Sequence, residues 1–220
     1  MGIRYRCLVL DHDDTAVKST PEIHYPSFVK ALSVLRPDME PFHLEEFILH
    51  CFEPGFSELC KDVLKLSDEE QEYQYKVWLD YTRKVPEFYP GFTDFLAEYR
   101  KLGGIITVVS HSESQRIERD YRAHCSIIPD LIFGWELEAH QRKPNPYPVN
   151  EIIKRYGLKK SEVLVVDDLK PGLVMAKRCG VEFAAAGWSH SIEKIRNYMM
   201  ENADYYFPTI DKLREHVIQD

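Results

Sequence analysis

Three apolar runs, each closed by a polar residue, limit this chain of 220 residues to few architectures. Cys7-Leu8-Val9-Leu10 leads into Asp11, Ile105-Ile106-Thr107-Val108-Val109 into Ser110, and Val163-Leu164-Val165-Val166 into Asp167. Short unbroken runs of β-branched residues and Leu, bounded by turn or helix signals, read as strands buried on both faces of a parallel sheet. Segments of helical period separate them, so the chain is an α/β protein: a Rossmann-like parallel sheet with helices on both faces and right-handed crossovers. In open sheets of this kind ligands bind beyond the carboxyl ends of the strands. Three strands then carry their polar residues to one edge.

The alternation is broken once. From Val17 to Pro86 the spacing is helical: Phe28, Ala31, Leu32 and Leu35, then Leu44, Phe47, Ile48, Cys51 and Phe52. Ser67-Asp68-Glu69-Glu70 is a capping box opening a further helix with Tyr73, Val77, Trp78 and Tyr81 along one face. The expected organisation is a discontinuous core, residues 1–16 and 87–220, with an all-helical insert over 17–86. Beyond Tyr89-Pro90-Gly91 the pattern predicts helices at Phe92–Leu102, near Glu113–His124, near Pro148–Tyr156, from about Gly172 to Cys179 and near Ile192–Glu201. It predicts further strands at Leu131–Phe133, near Val181–Ala185 and, as a short edge strand, at Tyr205–Phe207.

Composition narrows the classes of function. A formal net charge of −8 without a basic stripe argues against a nucleic-acid partner, because phosphate backbones call for clustered Lys and Arg. Cys7, Cys51, Cys60, Cys125 and Cys179 are odd in number and form no Cys-x-x-Cys, so neither a disulfide framework nor a structural zinc site is expected. No apolar run approaches the roughly 18 residues of a membrane span. The start, Met1-Gly2-Ile3-Arg4-Tyr5-Arg6, has neither a secretory apolar core nor a myristoylation pattern. A cytoplasmic protein, monomer or homodimer, is the expectation.

Asp11 and Asp13, two apart at a strand end, would point the same way at a period of two. Two such carboxyls divide labour: an ionised Asp attacks phosphorus, and the second protonates the leaving oxygen and then activates water. Their repulsion of each other and of a phosphate calls for Mg²⁺, which takes carboxylate and phosphate oxygens together, and Asp167 and Asp168 would complete its shell. Lys143 would bind nucleophile and phosphate as a point charge, and Ser110 would donate to a phosphoryl oxygen. Singly these signals have plainer readings: an acidic turn, a strand-end cap, a surface lysine, a helix cap. Their joint occurrence in one order favours the site.

That order, Asp11-x-Asp13-x-Thr15, Ser110, Lys143-Pro144, Asp167-Asp168, resembles the haloacid dehalogenase-like hydrolase superfamily, in the helical-cap branch that includes phosphoglycolate phosphatases and β-phosphoglucomutases. The resemblance implies a Mg²⁺-dependent phosphoric monoester hydrolase acting on a small phosphorylated metabolite through an aspartyl-phosphate. It implies Asp11 as nucleophile and metal ligand, and Asp13 as general acid and base with its carbonyl on the metal. Thr15 would steady the loop, Ser110 and Lys143 would bind the phosphoryl group, and Asp168 would hold the metal. Asp167 stands where the mutase branch has Glu, as a second acidic ligand. The chain departs from the common pattern at Asp14, where Gly is commonest; at His111, usually Asn and here a pocket candidate; and at Lys18, often acidic. His12 is a weaker pocket candidate.

The alternatives are a phosphosugar mutase and a non-catalytic phosphoacceptor or binding relative. Dehalogenation is disfavoured by Asp13. Receiver-type signalling modules place their acidic pair first and carry no such insert. Phe52-Glu53-Pro54-Gly55-Phe56 reads equally as a substrate-selecting loop of the insert or as a plain helix–helix turn. Facing a site, it would suit an uncharged or cationic leaving group better than a second anion.

Overall fold

The computed structural model describes residues 2–125 and 127–219; Met1, the head of the segment read for a leader, lies outside them. In chain order the strands are β1 (Gly2–Ile3), β2 (Cys7–Leu10), β3 (Ile105–Val109), β4 (Leu131–Phe133), β5 (Val163–Asp167), β6 (Glu182–Ala186), β7 (Tyr205–Phe207) and β8 (Ile218–Gln219). The helices are α1 (Tyr25–Leu35), α2 (Leu44–Phe52), α3 (Phe56–Glu58), α4 (Asp68–Tyr81), α5 (Phe92–Lys101), α6 (Ser114–His124), α7 (Tyr147–Tyr156), α8 (Lys170–Cys179), α9 (Glu193–Asn202) and α10 (Ile210–Val217).

Six strands form one sheet in the order β4-β3-β2-β5-β6-β7, every neighbouring pair parallel. The first of these six in sequence, β2, therefore lies in the middle, and the winding reverses beside it. Leu10 is in register with Val108 of β3 and Val166 of β5, so the three polar chain exits stand side by side. Strands β2 and β5 are buried along their whole length and β3 from Ile106 onward, because helices cover both faces. On one face Leu8, Leu10, Ile106, Val108, Leu164 and Val166 pack with Phe92, Phe95 and Leu96 of α5 and with Ile210, Leu213 and Val217 of α10. Each fully buried Leu or Phe contributes on the order of 2–3 kcal/mol by burial. Thr107 is the one polar residue inside β3, and its hydroxyl donates to the Leu8 carbonyl at 3.0 Å. It therefore leaves no unsatisfied donor in the sheet.

Two elements have no counterpart among the sequence expectations. One is the antiparallel ribbon of β1 with β8, two residues on each side, which joins the ends of the described chain. The other is α10, capped by the Thr209 hydroxyl accepting from Lys212 N–H at 3.3 Å. Its Ile210, Leu213 and Val217 follow helical spacing and were open to recognition; the ribbon was not, since two-residue strands carry no periodicity.

The chain divides into two compact units, Met1–Lys18 with Glu87–Asp220, and Ser19–Pro86. Val17 and Lys18 stay with the sheet unit, where Val17 bridges Phe88 and Lys18 N–H donates to the Glu87 carbonyl at 2.8 Å. The second unit is helical, with wider π-turns at Thr20–His24 and Leu59–Val63. Its core is Phe28, Leu32, Phe47, Leu59, Cys60 and Leu66, with the Phe28 and Phe47 rings 4.8 Å apart. The predicted stripe on α4 is half-buried, and Gln74 is that helix's buried residue. Phe52 is buried, while Phe56 sets its ring against Phe28 and Phe47 and keeps 39% of its surface exposed. All five cysteines are free thiols.

Candidate active site

The polar residues that follow β2, β3 and β5 gather at the carboxyl edge of the sheet in neighbouring groups of contacts. Strand β2 ends at Leu10, so Asp11 and Asp13 stand in the turn beyond it. Asp11 continues the ladder by one bond, its N–H donating to the Val166 carbonyl at 2.8 Å. The turn then closes through His12, whose carbonyl accepts from the N–H groups of Ala16 and Val17. Asp14 occupies the left-handed region at φ 57°, which explains its standing where Gly is commonest. Aspartate tolerates that conformation better than most side chains.

Lys143 comes from the loop between β4 and α7, and its ammonium lies 2.7 Å from Asp11 Oδ1 and 2.8 Å from Asp167 Oδ2. The contact with Asp167 is a hydrogen bond, whereas Asp11 Oδ1 meets the ammonium as a charge without an aligned hydrogen bond. All three groups are buried. Burial alone would lower the Lys143 pKa, but the charges of Asp11 and Asp167 outweigh it and raise the pKa, so this lysine stays cationic. Asp167 Oδ1 also accepts from Leu169 N–H at 2.8 Å at the entry to α8. It serves as a turn anchor and a charge partner at once.

Asp13 points elsewhere. Its Oδ2 accepts from the Ser110 hydroxyl at 3.1 Å and from the Ser112 hydroxyl at 2.6 Å. Thr15 donates to Asp168 Oδ1 at 3.3 Å, and its own carbonyl accepts from the Trp188 indole at 3.0 Å. Ser112 and Trp188 are participants that sequence reasoning missed. Ser112 lies two residues from a recognised anchor, but a serine before a helix is ordinary in sequence, and only the fold aims its hydroxyl at Asp13.

His111 is exposed at the rim and donates from Nε2 to the Lys143 carbonyl at 2.8 Å. Desolvation by its neighbours, then the Lys143 charge, hold its pKa below the ordinary histidine range. His12 turns away from the site: its Nε2 lies 3.1 Å from Asp120 Oδ2 and its ring stacks on Tyr121. The sheet edge thus brings together Asp11, Asp13, Thr15, Ser110, His111, Lys143, Asp167 and Asp168, and leaves His12 in the core beside α6.

Donor oxygens of Asp11, Asp167 and Asp168 lie within 4.8 Å of one another. Burial raises the Asp11 pKa to about 8, with Asp167 and Asp13 adding to the rise and Lys143 opposing it. Asp168 is raised for the same first reason, then by Asp167, Asp14 and Asp11. Three buried carboxylates facing one ammonium hold an excess of negative charge, and hard oxygen donors in that arrangement suit a cation such as Mg²⁺. Asp11 Oδ1 has the Lys143 ammonium at 2.7 Å and no aligned hydrogen bond.

Residues 8–186 match the haloacid dehalogenase-like hydrolase family. A phosphoglycolate phosphatase of Vibrio parahaemolyticus is 24% identical over 136 residues, 61% of this chain and 58% of that protein, so the match spans less than two thirds of the relative. A second, from Vibrio vulnificus, is 20% identical over 185 residues, 80% of each chain. A haloacid dehalogenase-like family hydrolase from Streptococcus pneumoniae has the same fold, with a TM-score of 0.73 at 15% identity over 96% of this chain and 97% of that one. With the match extending over most of its length and the family's acidic, hydroxylic and basic anchors gathered at one sheet edge, the chain belongs to the haloacid dehalogenase-like hydrolases.

Proposed function

We propose that the protein is a Mg²⁺-dependent phosphatase that hydrolyses a small phosphomonoester through an aspartyl-phosphate. The observation that carries this reading is the division of the two turn carboxylates: Asp11 against Lys143, Asp13 on the hydroxyls of Ser110 and Ser112. The similarity to two phosphoglycolate phosphatases supports it. Asp11 attacks phosphorus, and the bond from phosphorus to the leaving oxygen breaks as Asp13 delivers a proton to that oxygen. Asp13, now ionised, takes a proton from water, which attacks the same phosphorus; the bond to Asp11 breaks and phosphate leaves. Lys143 and Ser110 bind phosphoryl oxygens, and the Lys143 charge favours the ionised Asp11 against the burial that raises its pKa. Asp11, Asp167 and Asp168 would hold the Mg²⁺, with the Asp13 carbonyl. When bound, the ion offsets the charge of carboxylates and phosphate in a buried site.

Five free cysteines agree with a reducing, cytoplasmic setting, and among the described residues no helix is long and apolar enough to cross a membrane. The test is phosphate release from sugar phosphates, nucleotides, phosphoglycolate and pyrophosphate, with Mg²⁺ and with EDTA. Turnover should vanish with EDTA and fall by about three orders of magnitude in Asp11→Asn. Equal rates in Asp11→Asn would overturn the nucleophile, and phosphoryl transfer without net release would favour a mutase.

A further inference from the structure

Beside the phosphoryl site two loops of the sheet unit carry three side chains whose contacts the proposed chemistry does not use. Trp135, in the segment after β4, donates its backbone N–H to the Ser112 carbonyl at 2.9 Å, which fastens that segment to the loop bearing Ser110. Its indole keeps 47% of its surface exposed and stands edge-on to His111, ring centres 6.0 Å apart. Over that indole lies Arg142, its guanidinium carbon 3.7 Å from the ring centre, and Arg142 Nε donates to the Leu137 carbonyl at 2.6 Å. Arg142 directly precedes Lys143, and His111 directly follows Ser110. The stack therefore begins one residue away from two phosphate-binding candidates.

Several arginines spend their forks on carboxylates, Arg36 on Glu70, Arg214 on Glu98 and Arg122 on Glu118, while Arg4 and Arg178 donate to the Tyr205 hydroxyl and the Pro144 carbonyl. The Arg142 fork is different. Stacking fixes its plane and the Leu137 bond fixes its rotation, yet among the described residues its two terminal nitrogens meet no protein acceptor. A guanidinium already held in place loses little further freedom on binding, and its paired donors match a carboxylate or phosphate face. A cation held over an exposed apolar ring suits a rim that desolvates one end of a substrate.

The geometry points to Arg142, positioned by Trp135 and flanked by His111, as a specificity determinant that reads a second anionic group on the leaving portion of the substrate. This rests on the phosphatase reading above and adds the substrate class: a short phosphomonoester carrying a carboxylate or a second phosphate. It also shifts the expectation drawn from Glu53, since Arg142 offers the leaving group a cation.

Non-hydrolysable phosphonates test it apart from turnover. Binding of 3-phosphonopropionate, propane-1,3-bisphosphonate and propylphosphonate would be measured by calorimetry in Mg²⁺ buffer. The wild-type protein should bind at least one of the doubly anionic compounds about ten- to a hundredfold more tightly than propylphosphonate. The compound preferred distinguishes carboxylate from phosphate. Arg142→Met should remove most of that preference, and Arg142→Lys, which keeps charge without the fork, should restore only part of it. Trp135→Leu should reduce it by loosening the guanidinium. Equal wild-type affinity for all three compounds, or an Arg142→Met variant that weakens all three alike, would overturn the inference. If Arg142→Met does not fold, Arg142→Lys decides, and an undiminished preference there would overturn it too. Absence of phosphate release from every ester would defeat the phosphatase reading instead, and the phosphonate preference would still be measured.

Discussion

Gly172 shows how closely single residues are fitted around the site. A Cβ at this position would lie 2.2 Å from Asp167 Oδ2, so any side chain must push Asp167 away from Lys143. Gly172→Ala should therefore lower the melting temperature and cut turnover at least about tenfold, a loss of the size expected when a charged site is misplaced. Thermal melts beside initial rates check this; an unchanged rate would show that Asp167 has slack. Asp14 was legible only as a departure from the family pattern, and its left-handed φ supplies the reason. Ser112 was not legible at all, because its role depends on where Asp13 points and not on any local signal.

At the scale of elements, α4 shows one side chain answering to two levels of structure. Glu70 Oε2 accepts from Ser67 N–H at 2.9 Å, closing the capping box, and both its oxygens take the Arg36 fork beyond the end of α1. The box was readable from Ser67-Asp68-Glu69-Glu70; the arginine, 34 residues back in the chain, was not. The hydrogen bond from Arg36, then that from Ser67, lower the Glu70 pKa to about 2. A carboxylate depressed in the folded state binds fewer protons there than in the unfolded state over the intervening pH. Its stabilisation is thus complete above the unfolded value near 4.5 and is lost as pH falls toward 2. Chemical denaturation of wild type and Glu70→Gln should give stabilities that differ at pH 7 and converge between these limits. A constant difference would mean that the pair makes no pH-dependent contribution.

For the whole molecule, the insertion is joined to the sheet unit where Val17 bridges Phe88 and Lys18 bonds to Glu87, so the two cut ends already meet inside that unit. Replacing 19–86 by a short Gly-Ser linker should leave a sheet unit that melts in one cooperative transition, since little closure entropy separates its ends. Calorimetry that finds no transition would show that the unit depends on the helices it has lost. Sequence by itself determined the buried strands, the acidic and hydroxylic residues at their ends, and the helical interruption after the first strand. Those features are local: continuous burial demands unbroken apolar runs, and a chain leaving a sheet edge needs polar turn residues. Tertiary structure alone decided that Asp13 rests on Ser112, that His12 faces Asp120, that β1 pairs with β8, and that Arg142 lies over Trp135. Each of these joins groups whose meeting depends on strand order, register and loop course, and none of those quantities is written in the period of a single segment.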